Sequence, residues 1–217
     1  MAPPALPRPS LTERRKAATE LAIARAAARL FAARGPGGTS AEEIAHAAGV
    51  ALRTFYRYFR NKQDAVAPLL ARGPERWRTH LAAAEPGPSV AELLERSVVK
   101  ALSEPDDCTA EGLRWTRGLL RAAAGDPALR AVWYRVNRQS EERLVPLLSE
   151  LAGPDAEALQ VRLAAAAATD AVRVALETWA GTDAPVGDPD SPAELALRCL
   201  REVTCGVGLF TGHRISG

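Results

Sequence analysis

Almost nowhere does this chain alternate apolar and polar residues with a period of two, and that narrows its possible folds more than any other feature. A strand with one face in a core needs such alternation, because successive side chains point to opposite faces. The long runs are instead built from Ala, Leu, Arg and Glu, all good helix formers. Gly and Pro sit mainly between these runs, and β-branched residues are sparse apart from patches such as Val98–Val99. The chain therefore reads as all-α. Its 217 residues allow one domain or two small ones.

Nine helices are expected. The first spans Leu11–Arg34, with Leu21, Ala24, Ala28 and Phe31 in one stripe and Ile23, Ala27 and Leu30 beside it. Gly35-Pro36-Gly37-Gly38 stops it. Thr39 and Ser40 each stand three residues before a glutamate, so either can cap the next helix in a capping box. That helix is short, turns Ile44, Ala45 and Ala48 inward, and ends at Gly49. A second short helix covers Ala51–Tyr58. Asn61–Ala84 follows, with Pro68 and Gly73-Pro74 predicting a kink or a break. The remaining helices are Ser89–Leu102, Ala110–Ala124, a segment capped by Asp126 and running from Pro127 to Leu151 with a bend at Pro146, Asp155–Ala180, and Pro192–Phe210.

Charge is distributed unevenly. Residues 1–62 carry eleven Lys/Arg against four acids, or +7, while the rest of the chain carries seventeen against twenty-two, or −5. A basic head on an acidic body suits a polyanionic partner, although solvated helix surfaces can cluster charge by chance.

The informative stretch is Thr39–Lys62. Two short helices around a tight turn at Gly49 make a helix-turn-helix, with Ile44, Ala48, Val50, Phe55 and Phe59 spaced to lock the pair. In such a unit the second helix enters the major groove and the first crosses the backbone. Phe55 and Phe59 share one face, so Arg53, Tyr56, Arg57 and Lys62 point elsewhere. Tyr56 and Tyr58 bring hydroxyls that can donate to phosphate oxygens.

The pattern Thr39, Ile44-Ala45, Ala48-Gly49-Val50, Thr54-Phe55-Tyr56, Tyr58-Phe59 and Lys62, preceded by a helix opening Arg14-Arg15-Lys16, resembles the signature of the tetracycline-repressor (TetR) family. The resemblance covers Leu11–Leu70. It implies a homodimeric, cytoplasmic regulator that binds double-stranded operator DNA, usually a repressor released by a small-molecule effector. Activation, or DNA binding without an effector, stays open. It also implies a variable body, with middle helices around a ligand cavity and the last two in a dimeric four-helix bundle. It places Ser40 or Thr39, Tyr56, Tyr58 and Lys62 on phosphates, counts Arg57 with the DNA-contacting set, and sets Leu52, Arg53 and Thr54 nearest the base edges. Two positions depart from the pattern. Ala51 stands where a capping Ser or Thr is common, at a cost of about 1 kcal/mol in helix stability. Arg53 stands where many members carry Gly; its guanidinium can take guanine O6/N7 bidentately or clamp a phosphate.

The resemblance divides the chain into an arm over residues 1–10 expected to be disordered, a DNA-binding head over 11–61, a ligand-binding and dimerisation body over 62–211, and a tail over 212–217. All four tryptophans lie in the body. Trp77, Trp115 and Trp133 suit either core or cavity wall, and His80, Asn137, Asp170 and Glu177 are polar groups on the same segments. Small residues over Ala164–Ala168 suit close helix packing, and a twofold dimer is expected on the last two helices.

Other classes find little support. The three histidines are scattered, no HExxH, GxSxG or P-loop motif occurs, and neither catalytic residues, metal ligands nor a cofactor are expected. Cys108, Cys199 and Cys205 are odd in number and lack a CxxC, as expected of small hydrophobes in a reducing compartment. No apolar run approaches the ~20 residues of a membrane span, and the proline-rich start lacks the apolar core of a signal peptide.

Overall fold

The computed structural model describes residues 10–85, 87, 89–103, 107–185 and 188–204, the side chains of 107 and 108 excepted. The expected N-terminal arm except its last residue, Ser10, the end of the last helix with Leu209 and Phe210, the tail, Cys205, His213 and the Cys108 side chain lie outside the described residues. Among the described residues there are ten α-helical segments and no strand. They are α1 (Leu11–Arg34), α2 (Ala41–Ala47), α3 (Leu52–Tyr58), α4 (Ala67–Leu70), α5 (Arg72–Ala82), α6 (Val90–Ser103), α7 (Asp107–Ala124), α8 (Pro127–Ala152), α9 (Ala158–Ala180) and α10 (Pro192–Thr204), with a 3₁₀ turn over Asp64–Val66.

The chain divides into two compact units that meet between Pro68 and Leu69. In the first, α1 opens with a capping box in which the Glu13 amide donates to Ser10 Oγ at 3.2 Å and the Ser10 amide donates to Glu13 at 2.7 Å. The second half of α1 buries Ile23, Ala24, Ala26, Ala27, Ala28 and Phe31. Alanines on this face let α2 and the 3₁₀ turn pack closely against it. Ala65 and Val66 of that turn are fully buried. The first compact unit thus extends to Pro68.

The single helix expected over Asn61–Ala84 is three pieces. Asn61 Oδ1 accepts from the Asp64 amide at 2.8 Å and starts the 3₁₀ turn. The main break falls at Ala71. In a continuous helix the Pro74 ring would clash with the Leu70 carbonyl, four residues back. Ending α4 at Leu70 and restarting at Arg72 puts Pro74 in the first turn of α5, where an N–H has no intrahelical partner to lose.

In the second unit α9 packs on α7, α8 and α10, α10 on α6, and α6 on α5. The fully buried large side chains include Leu81, Leu93, Leu94, Leu129, Leu144, Leu148, Trp179 and Leu200. Asp126 caps α8, accepting from the Leu129 amide at 2.9 Å, and α8 continues through Pro146. Two helix starts fall three residues from expectation: α7 begins at Asp107, and α9 begins at Ala158 because residues 153–156 form a turn in which the Ala156 amide donates to Gly153 O. At the far end of α9, Arg121 donates to Ala180 O at 2.7 Å and to Thr182 O at 2.6 Å, and ion-pairs with Asp183 at 2.7 Å. The neighbouring Arg117 guanidinium stacks 3.9 Å from the Trp179 ring centroid. Cations there satisfy carbonyls that a helix C-terminus leaves open.

Candidate nucleic-acid interface

The turn between α2 and α3 is made by Gly49, whose φ of 68° lies in the left-handed region where a Cβ is costly. The Val50 amide then donates back to Ala45 O at 3.0 Å. Phe55 is fully buried and Phe59 is 8% exposed, their ring centroids 5.7 Å apart. Helical spacing then turns Leu52, Arg53, Tyr56 and Arg57 outward. Tyr56 is 55% exposed and stands edge-on to Phe55, with centroids 5.3 Å apart. Thr54 and Tyr58 are half-buried, and the Arg57 guanidinium lies 5.2 Å from the Tyr58 ring centroid. Among the described residues no carboxylate pairs with Arg53, Arg57 or Arg60. The outer face of α3 is thus cationic and uncompensated. Its start has no side-chain cap, as Ala51 implies.

The start of α2 settles which residue is the cap. Ser40 Oγ accepts from the Glu43 amide at 3.1 Å, and Glu43 accepts from the Ser40 amide at 2.8 Å. Arg34 reaches the same carboxylate at 2.9 Å and ties α1 to α2. The Ser40 amide and hydroxyl, with Arg34 behind them, hold the Glu43 carboxyl below the usual carboxylate range. Thr39 does something else. It is 3% exposed, and its hydroxyl donates to Gly35 O at 3.0 Å rather than facing solvent. A phosphate contact through that hydroxyl does not fit this placement. Lys62 is half-buried, its Nζ donating to Thr39 O at 2.8 Å.

In the body, Trp133 is buried and donates to Glu177 at 2.7 Å. Arg173 bridges Asp170 at 2.9 Å and Glu177 at 3.0 Å, and Asn137 donates to Trp133 O at 2.9 Å. Trp133 borders both an apolar cavity of about 50 Å³, with Leu70, Leu102, Leu113 and Leu176, and an open groove of about 370 Å³, with Leu120, Tyr134 and Glu177. Asn137 and Asp170 line a polar groove of about 300 Å³ beside Thr169. Trp77 donates to Ser97 Oγ at 2.9 Å and Trp115 to Glu111 at 3.2 Å; neither they nor His80 line these three spaces. Sequence reasoning missed Arg173, although its spacing of three from Asp170 and four from Glu177 is the signal for same-face ion pairs. Among the described residues no group of three or more His, Cys, Asp or Glu is placed to hold a metal, and no helix is long and apolar enough to cross a membrane.

An outward basic helix, set by a glycine turn and a buried phenylalanine pair behind a capped first helix, has the geometry of a DNA-binding helix-turn-helix. Comparison with known proteins agrees. Residues 23–67 match the model of the bacterial regulatory proteins of the tetR family. The HTH-type transcriptional regulator TcmR of Streptomyces glaucescens is 26% identical over 149 residues, which cover 68% of this chain and 66% of TcmR, just under two thirds of its length. Among solved structures, a TetR-family regulator from Syntrophomonas wolfei superposes with a TM-score of 0.61 at 17% identity, covering 91% of this chain and all of its own. NalD of Pseudomonas aeruginosa, the secondary repressor of the MexAB-OprM multidrug efflux pump, superposes at 0.56 and 24% identity, covering 92% of this chain and 100% of NalD. The chain is thus similar to TetR-family regulators, in sequence over residues 23–67 and in fold over most of its length.

Proposed function

We propose that the chain binds operator DNA as a homodimer and represses transcription until a small molecule releases it. The observation that carries the DNA-binding part is the face of α3, where Arg53, Tyr56 and Arg57 stand exposed over a fully buried Phe55. Leu52, Arg53 and Thr54, in the first turn of α3, are the residues that read base edges, as expected of the N-terminal end of a recognition helix. Ser40, Tyr56, Arg57 and Tyr58 hold phosphates. The test is a gel shift on the DNA upstream of the chain's own gene at two salt concentrations. Binding that weakens steeply with salt supports phosphate contacts; no shift at either concentration counts against this operator and this reading.

Self-association is favoured by α9. Leu159 is 67% exposed, Leu163 54% and Val174 43%, and their spacing puts them on one side of the helix with the small Ala166 and Ala167 between them. One reading helix reaches only a few base pairs, and a twofold dimer doubles the site.

The effector reading centres on Trp133, which borders both the small apolar cavity and the open groove, and on Glu177, which lines the groove. An apolar cavity of about 150 Å³ takes a benzene, and this one is about 50 Å³. An effector held in this cavity rather than in the groove must therefore widen it, and that lowers its apparent affinity to the fraction of molecules already widened. The small cavity equally favours a second reading, a DNA-binding dimer without an effector. Linkage separates the two: an effector that weakens operator binding must itself be weakened by operator to the same degree.

A further inference from the structure

The polar groove along the seam of α8 and α9 holds two groups that the fold leaves unanswered. Thr169 is 4% exposed, and its Oγ1 is buried without a hydrogen-bond partner. A threonine inside a helix commonly donates to the carbonyl four residues back, and this one does not. Glu141, half-buried on the facing helix, pairs with no cation among the described residues. Both line the same space of about 300 Å³, the lower end of the range for small-molecule sites. Buried polar groups and carboxylates held away from water are costly unless something answers them.

The rest of the groove says what would answer them. Its two guanidiniums are already engaged: Arg138 with Glu142 at 3.1 Å, and Arg173 with Asp170 at 2.9 Å and Glu177 at 3.0 Å. With those partners counted, two cations stand against four carboxylates. Asn137 uses its amide nitrogen on Trp133 O at 2.9 Å, which leaves its side-chain oxygen to accept. A carboxylate, an amide oxygen and a hydroxyl are together the complement of an ammonium, which has three N–H donors and no acceptor. An anion would instead meet Glu141 and have to take a guanidinium from its present partner. The Tyr134 ring, 48% exposed, forms an aromatic wall for an apolar body.

We propose that the α8–α9 seam binds a small primary ammonium compound, its head on Glu141, Asn137 and Thr169 and its body along Tyr134. The site does not depend on the DNA-binding reading. Asp170 lies on the same side of α9 as Leu163 and Val174, so the groove opens at the edge of the face assigned to self-association. The full chain is therefore tested as it associates in solution.

Three probes share one body and differ in the head: phenethylammonium, 2-phenylethanol and phenylacetate. Dissociation constants come from ligand-observed NMR titrations of wild type, Glu141→Gln and Thr169→Val. Wild type is expected to bind phenethylammonium about tenfold more tightly than either other probe, as suits one charge-assisted bond. Glu141→Gln removes that preference. Thr169→Val weakens the ammonium several-fold and raises the thermal unfolding midpoint of the free protein, because it deletes a buried hydroxyl without a partner. Phenylacetate bound as tightly as phenethylammonium, no binding of any probe, or ammonium affinity equal in wild type and both variants overturns the proposal. So does a Thr169→Val protein that melts lower and binds as wild type does, since the hydroxyl then serves the fold alone. If Thr169→Val does not fold, the comparison of wild type with Glu141→Gln decides.

Discussion

Arg53 occupies the second position of α3, exposed and without a carboxylate partner among the described residues. If its guanidinium takes guanine O6/N7, Arg53→Ala costs about 1–3 kcal/mol and relaxes preference at one base pair. A phosphate clamp gives a uniform loss over all sequences. Selection from a randomised duplex library with the variant separates the two. Two residues earlier, Ala51 is the N-cap of α3 with nothing to offer the first amides. Ala51→Ser should raise the stability of the head by about 1 kcal/mol, read as a higher midpoint in thermal unfolding. An unchanged midpoint would mean that the fold already holds the first turn of α3 as firmly as a cap would.

Between elements, the join from α1 to α2 depends on one carboxylate. Glu43 accepts from the Ser40 amide and hydroxyl and from Arg34, so its carboxyl titrates below the ordinary value of 4.5. A carboxylate with a lowered folded pKa contributes stability that is present above its unfolded pKa and lost as pH falls through the folded one. Glu13, held the same way by the Ser10 amide and hydroxyl, acts in the same window at the start of α1. The head should therefore lose stability as pH drops through and below the usual carboxylate range. Glu43→Gln should flatten part of that acid limb in a urea titration at stepped pH. An acid limb as steep in the variant as in wild type would remove Glu43 from the account.

For the whole molecule the question is what covers α9. A helix that leaves Leu159 and Leu163 more than half exposed keeps apolar surface in water that a second copy can bury at roughly 25 cal/mol per Å². Leu163→Glu puts a charge at that face and should shift the protein toward monomer in light scattering at micromolar concentration. Operator affinity should fall with it, because two reading heads no longer act together. A dimer that survives the change unaltered places the interface elsewhere.

The all-α class, the capped starts of α2 and α8, and the helix-turn-helix itself follow from local rules, and those rules were legible. Glycine marks the left-handed turn at 49, hydroxyls three residues before Glu42 and Glu43 mark a capped helix start without choosing between Thr39 and Ser40, and phenylalanines four apart mark a buried ridge. Prolines at 68 and 74 announced a break but not its place, which depends on where α4 and α5 find partners. Tertiary structure alone decided that Thr39 turns inward and Lys62 reaches back to it, because a bond across 23 residues leaves no periodic trace. It alone decided which polar groups of the body meet: Trp133 with Glu177 across 44 residues and Arg121 with the end of α9 across 59. The local signals come from hydrogen bonds and sterics within a few residues, whereas which distant side chains meet is fixed only when helices pack.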